Sequence, residues 1–190
     1  MRLPDGSQRL VIAEEIDTVE EQAQSWDCSF KDLETSDYVV GQVWGRIGSR
    51  FLLLDQIRDR MDCPATVRAV RQMSSRWPGT VAKLIEDKAN GSAVIQMLAH
   101  ELFGMLPVNP LGGKVARAAA VSPLIEAGNV YLPHPHSAHW VTVLLEECAA
   151  FPNAAHDDQV DAMTQALIWW IGREEQYLIT YSEPVRISVY

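Results

Sequence analysis

The chain has 190 residues, 47% of them hydrophobic and 22% charged, enough to bury the core of one globular domain. Its net charge of −9 excludes a general DNA-coating protein, so any nucleic-acid contact must rest on a local basic patch or on bound metal ions. No run of about 18 apolar residues and no signal-peptide core occurs, so a soluble, cytoplasmic protein without membrane contact is expected. Cys28, Cys63 and Cys148 are odd in number and widely spaced, which argues against a disulfide framework or a cysteine zinc site and leaves buried free thiols.

In chain order, residues 1–24 carry the acidic, weakly patterned "AEEIDTVEEQAQ" and read as a lead-in or linker remnant, with the core beginning near Ser25. "SWDCSF", "DYVVGQVWGRI" and "RFLLLDQI" read as three antiparallel strands, the first two separated by "KDLETS" and the last two by the turn "GS". "CPATVRAVRQMSSRW" has Pro64 at a helix start and Val67, Val70 and Met73 at helical spacing, and "VAKLIED" reads as a buried strand. Beyond it come helix "GSAVIQMLAHELFG", strand "LPVNP", helix "KVARAAAVSPLIEAG", extended "NVYLP", helix "AHWVTVLLEECAAF" and a final helix from about Asp157 to Gly172. A hairpin followed by βα units predicts an α/β fold with a mixed sheet flanked by helices. The domain is expected to span 25–175, with a tail over 176–190.

The final helix begins with "HDDQVDAMTQAL", three aspartates within five residues leading into an apolar segment. At about 100° per residue, Asp158 and Asp161 share a face with Gln165 and Trp169, while Val160, Met163, Leu167, Trp170 and Ile171 lie opposite. Both faces turn apolar toward the C-terminal end, so the carboxylates stand at the edge of a buried interface. Ala162 and Ala166 border that face and allow close approach to a sheet. A favourable interaction with the helix dipole accounts for Asp157 and Asp158, but less well for Asp161. Like charges at this spacing need a partner, and a cation is one.

One or two aspartates rarely hold a hard cation alone, so further carboxylates are required. Alternation in "SWDCSF" puts Asp27 on the face opposite Trp26 and Cys28, with small neighbours Ser25 and Ser29. In "KLIEDKANG" a strand ends in Glu86 and Asp87, at the crevice-forming end of a sheet. A one-residue register shift exchanges the faces of these two acids, so spacing leaves the choice open.

These residues resemble the nuclease domain of phage terminase large subunits, within the RNase H-like (retroviral integrase) superfamily. The resemblance runs from Ser25 to about Ile171 and includes "SDYVVGQVWG", "LLLDQIRDR", "DKANGSAVIQ", "GNVYLP" and "FPNAAHDDQVDAMTQAL" in that order. It implies an endonuclease that cuts concatemeric double-stranded viral DNA during packaging, using two divalent ions, Mg²⁺ or Mn²⁺. Carried over, Asp27 is the first-strand aspartate, Glu86 the second acid and Asp158 the helix aspartate, with Asp161 as co-ligand. Within the resemblance, Asp27 bridges both ions, Glu86 serves one, and Asp158 and Asp161 serve the other. The portal and small terminase subunit are the implied protein partners. A catalytically silent or partner-dependent docking module is the alternative.

The chemistry suits such a site. Phosphodiester hydrolysis needs an activated water and a stabilised leaving oxyanion, which two ions about 4 Å apart supply. Hard cations prefer oxygen donors, consistent with carboxylates and no Cys. His156 can orient a water or cap the helix. Lys88, Lys114 and Arg117 are candidate DNA contacts, the last two at a glycine-preceded helix start. "GGKVA" lacks nucleotide P-loop spacing, so ATP hydrolysis is not expected; since full-length large terminase subunits carry an ATPase motor, the resemblance implies an excised domain or truncated gene product. "LPHPHSAHW" offers His134, His136 and His139 for zinc, but its prolines and adjacent helix start favour an ordinary loop.

Overall fold

The computed structural model describes residues 19–28, 38–87 and 89–182. Its elements are β1 (Glu21–Cys28), β2 (Val39–Ile47), β3 (Arg50–Asp59), α1 (Cys63–Arg76), β4 (Thr80–Glu86), α2 (Ala89–Leu98), β5 (Met105–Val108), α3 (Lys114–Glu126), β6 (Val130–Tyr131), α4 (Trp140–Ala150) and α5 (Asp158–Ser182). The described strands form one sheet in the order β5-β4-β1-β2-β3-β6. β1, β2 and β3 pair antiparallel, while β4 joins β1, β5 joins β4 and β6 joins β3 in parallel. The expected α/β fold, an RNase H-like mixed sheet flanked by helices, is the one observed.

Alternation along the strands divides the core into two layers. Trp26, Cys28, Val39, Val43 and Ile85 meet Val67, Val70 and Met73 of α1 and Val94 and Leu98 of α2. On the other face Ala23, Trp44, Leu53, Ala82 and Leu84 meet Val121 of α3, Leu144 of α4 and the start of α5. Ala162 and Ala166 are fully buried, so α5 lies close to β1 and β2 as the small side chains predict.

Three boundaries depart furthest from expectation. β1 begins at Glu21, so the lead-in assigned to 1–24 ends inside the sheet. Glu21 to Gln24 pair with Arg46 to Val43, and the acidic Glu21 is accommodated by Arg46 at 3.8 Å and by Arg173. α2 stops at Leu98, short of the expected Gly104. The chain must reverse there to lay β5 beside β4, and the carbonyl of Gly104, a residue at φ 76°, accepts from Lys83 N at 2.7 Å. α5 continues past Gly172 to Ser182, beyond the expected domain end at 175. Gly172 is exposed, and one glycine costs a helix only about 1 kcal/mol. Residues 1–18, 29–37 with the polar "KDLETS", and 183–190 lie outside the described residues.

Candidate active site

Register brings the acids together. Asp27 is opposite Val40 on β2, and Trp26 is opposite Ile85 on β4, which puts Glu86 beside Asp27 at the ends of two parallel strands. Ser25, Asp27, Leu84 and Glu86 belong to the face that receives α5. Glu86 is 8% exposed and lines a cleft with Asp27, Asp161, Arg117, Gln165 and Pro110. Asp87 instead accepts from Ser92 Oγ at 2.5 Å, at the start of α2. The structure therefore turns Glu86 toward Asp27, and Asp87 toward the next helix. α2 starts so close to β4 that a Cβ on Gly91 would stand 1.9 Å from the Glu86 carbonyl oxygen. Only glycine fits there.

α5 supplies the other two acids. Asp158 is 3% exposed, and its Oδ2 accepts from the Tyr38 backbone N at 3.3 Å. His156 Nδ1 is 4.0 Å from the same oxygen, and its ring packs edge-on against Tyr38. Asp161 Oδ1 accepts from Arg117 Nη2 at 2.6 Å, and its Oδ2 is 3.0 Å from Lys114 Nζ. Lys114 also donates to Asp157 at 2.5 Å.

The carboxylates influence one another. The Asp27 carboxyl is pushed well above its ordinary range, first by burial and then by the negative charges of Glu86, Asp158 and Asp161, with Lys114 acting in the opposite sense. Burial and the same acids Asp27 and Glu86 also push the Cys28 thiol up. Burial disfavours the Lys114 ammonium, but hydrogen bonds to Asp157 and Asp161 more than offset that and hold it above its ordinary range.

The donor set is all oxygen and strongly negative, which fits a hard divalent cation. Among the described residues no three His, Cys, Asp or Glu side chains are gathered as a finished coordination shell. The cleft measures about 10 Å³, room for a water-sized species and not for a nucleobase. Asp27 and Glu86 face it from the sheet and Asp161 from the helix, with Asp158 close enough to raise the Asp27 carboxyl.

One of the three basic residues is placed differently from expectation. Arg117 is 9% exposed and engaged with Asp161 and the Gly112 carbonyl, so it is not a surface cation open to DNA. The physical reason is its helical position: the face of α3 that carries Arg117 and Val121 packs toward α5. Lys114 is half-exposed beside the acids, and Lys88 lies outside the described residues. His134 Nδ1 accepts from the His136 backbone N at 3.2 Å, which is loop geometry; both histidines are exposed.

Sequence reasoning passed over Glu147. Its Oε1 accepts from the backbone N of Gln159 at 2.8 Å and of Val160 at 3.2 Å, and its Oε2 from Gln159 Nε2 at 2.6 Å. A carboxylate from α4 thus caps the first turn of α5, the turn that carries Asp158 and Asp161. Gln159 continues the chain to Gln56 and Gln42 on the sheet. The available signal was an acid on the apolar stripe of α4, at helical spacing from Val141 and Leu144.

No described helix is long and apolar enough to cross a membrane. Comparison with curated proteins gives no match. Among solved structures, the large terminase of a thermophilic bacteriophage shares the fold with a TM-score of 0.61 at 10% identity, over 80% of this chain and 40% of its own. The large terminase nuclease domain of bacteriophage SPP1, with bound Mn, gives 0.58 at 13% identity over 88% and 94%. The human cytomegalovirus terminase nuclease domain, Mn-soaked and inhibitor-bound, gives 0.57 at 13% identity over 78% and 81%. This chain therefore spans about 40% of the thermophilic phage protein that it matches. The sequence itself matches the model of the terminase RNase H-like domain over residues 24–169, and the chain belongs to that family.

Proposed function

We propose that this chain is an endonuclease that hydrolyses phosphodiester bonds of double-stranded DNA during viral genome packaging, with two divalent ions, Mg²⁺ or Mn²⁺. The observation that carries the reading is the convergence of Asp27, Glu86 and Asp161, from two strand ends and one helix start, on one buried cleft, with Asp158 near enough to act on Asp27. Four acids crowded in this way are costly for a fold unless a cation neutralises them. The Mn in the SPP1 and cytomegalovirus structures supports the same reading.

Asp27, Glu86 and Asp158 would hold the ions. Asp161, with its oxygens on Arg117 and Lys114, would serve as a co-ligand only by giving up one of those partners. When bound, the ions supply a nucleophilic water and a stabilised leaving oxygen. The chain's own residues set the frame. Glu147 fixes the first turn of α5, Gln165 ties that helix to β1 and β4, and the Tyr38 backbone N orients Asp158. Lys114 and Lys88 are the proposed phosphate contacts. The domain is taken as 25–175 with the start of β1 added, and the portal and small terminase subunit as its packaging partners.

The test is plasmid nicking and linearisation by the purified chain with EDTA, Mg²⁺, Mn²⁺, Ca²⁺ or Zn²⁺, beside Asp27→Ala and Asp158→Ala. Cutting with Mg²⁺ or Mn²⁺ is expected, with loss in both folded variants. No cutting under any metal moves the function to a docking role.

A further inference from the structure

A second groove is lined by Gln56, Ile57 and Arg58 of β3, Trp140 and Val143 of α4 and Gln159 of α5, the residue after Asp158. At about 410 Å³ it is far larger than the acid cleft. The sheet register places it relative to the acids. Asp27 is opposite Val40, and Val40 is opposite Arg58, so Arg58 lies two strands from Asp27 in one row on the α5 face. Two strand spacings are roughly 10 Å. At about 3.4 Å of rise per nucleotide, a strand held at the carboxylates reaches Arg58 within about three nucleotides.

The groove is also tied directly to Asp158. Arg58 stacks over the Tyr38 ring at 3.5 Å and Arg60 lies 5.3 Å from the same centroid, while Tyr38 N donates to Asp158. Glu147 is 3.9 Å from Arg58, but its two oxygens already accept three hydrogen bonds from Gln159 and Val160. Arg58 Nε is buried with no hydrogen-bond partner among the described residues, and it is the fifth of the side chain left exposed that can meet a ligand in the groove. A guanidinium held by an aromatic face with donors to spare suits a phosphate. Half-buried Trp140 and exposed Val143 offer an apolar wall beside it. An acidic chain needs several local cations to hold DNA, and on α3 Arg117 is taken up by Asp161 while Lys114 is shared with Asp157 and Asp161.

We propose that this groove seats the sugar-phosphate backbone of the DNA strand flanking the cut, with Arg58 and Arg60 on a phosphate and Trp140 and Val143 against the sugar. The proposal rests on the nuclease reading for what lies at the carboxylates.

The experiment is fluorescence anisotropy of a short labelled DNA duplex titrated with the chain across a salt series, with Ca²⁺ and with EDTA. Arg58→Gln and Arg60→Gln are each expected to weaken binding about tenfold and to lower the salt slope by about one. Trp140→Ala should weaken binding with the slope unchanged. Should Arg58→Gln lose its melting transition, Arg58→Lys, which keeps the charge and loses the fork, and the exposed Arg60→Gln carry the test. Wild-type affinity and slope in the arginine variants overturn the proposal, as does failure of the unsubstituted chain to bind the duplex. Nicking is scored separately: binding through Arg58 without any cutting sinks the nuclease reading and leaves the groove standing.

Discussion

Gln165 on α5 donates from Nε2 to Ser25 Oγ on β1 at 2.9 Å, with the carbonyls of Trp26 at 3.4 Å and Leu84 at 3.3 Å also in reach. One amide thus joins the two strands whose C-terminal ends carry Asp27 and Glu86 to the helix that carries Asp158 and Asp161. Gln165→Ala should lower stability by about 1–3 kcal/mol, since it orphans buried acceptors. It should also weaken Mn²⁺ binding measured by calorimetry, because the acids on helix and sheet lose their fixed spacing. Unchanged Mn²⁺ affinity would leave Gln165 as a packing residue only.

Arg117 and Asp161 form a buried pair, with side chains only about a tenth exposed. Removing Arg117 leaves Asp161 only the half-exposed Lys114 as a cation, so the loss should fall below the roughly 3–5 kcal/mol of a fully uncompensated buried charge. Arg117→Ala should still melt below the unsubstituted chain in EDTA. Divalent metal should restore more stability to the variant than to its parent, because a second cation can then reach Asp161. Equal stabilisation of both by Mn²⁺ in thermal melts argues against Asp161 as a metal contact.

Asp27 gives a pH dependence with a definite sign. Its folded carboxyl keeps the proton to higher pH than the unfolded chain does, so the folded state binds more protons between the two values. The group's stabilising contribution is complete below the unfolded carboxyl's range and is lost as pH rises through the raised folded value. Asp27→Asn removes that penalty and should raise the melting temperature of the metal-free chain at neutral pH, with the gain fading below the usual carboxylate range. A metal-free variant that melts lower than its parent at neutral pH refutes this account.

Glu147 caps α5 by accepting two of its first backbone N–H groups. Glu147→Ala should cost about 2 kcal/mol through the lost cap, the upper end for such residues. Glu147→Gln keeps one acceptor oxygen and should recover part of it. If Asp158 depends on this turn, nicking activity should follow the same order at temperatures where all three chains are folded. Full activity in folded Glu147→Ala would confine the residue to stability.

The order and type of the elements were legible in the sequence, because period-2 and period-3.6 patterns are local and each strand or helix carries its own. Alternation fixed the face of Asp27 opposite Trp26, and helical angle fixed Asp158 and Asp161 on one side of α5. The family resemblance then linked those acids, although no local pattern measures the distance between them. Pairing between distant segments decided the rest. Register against β1 and β5 turned Glu86 toward Asp27 and left Asp87 to Ser92. The packing of α3 on α5 drew Arg117 inward, where a sequence shows only a basic residue at a helix start. Burial of Glu147 beneath α5 and the row joining Asp27 to Arg58 both join residues far apart in the chain. Local periodicity tells each side chain which way to face; only the assembled sheet and its crossovers determine what it faces.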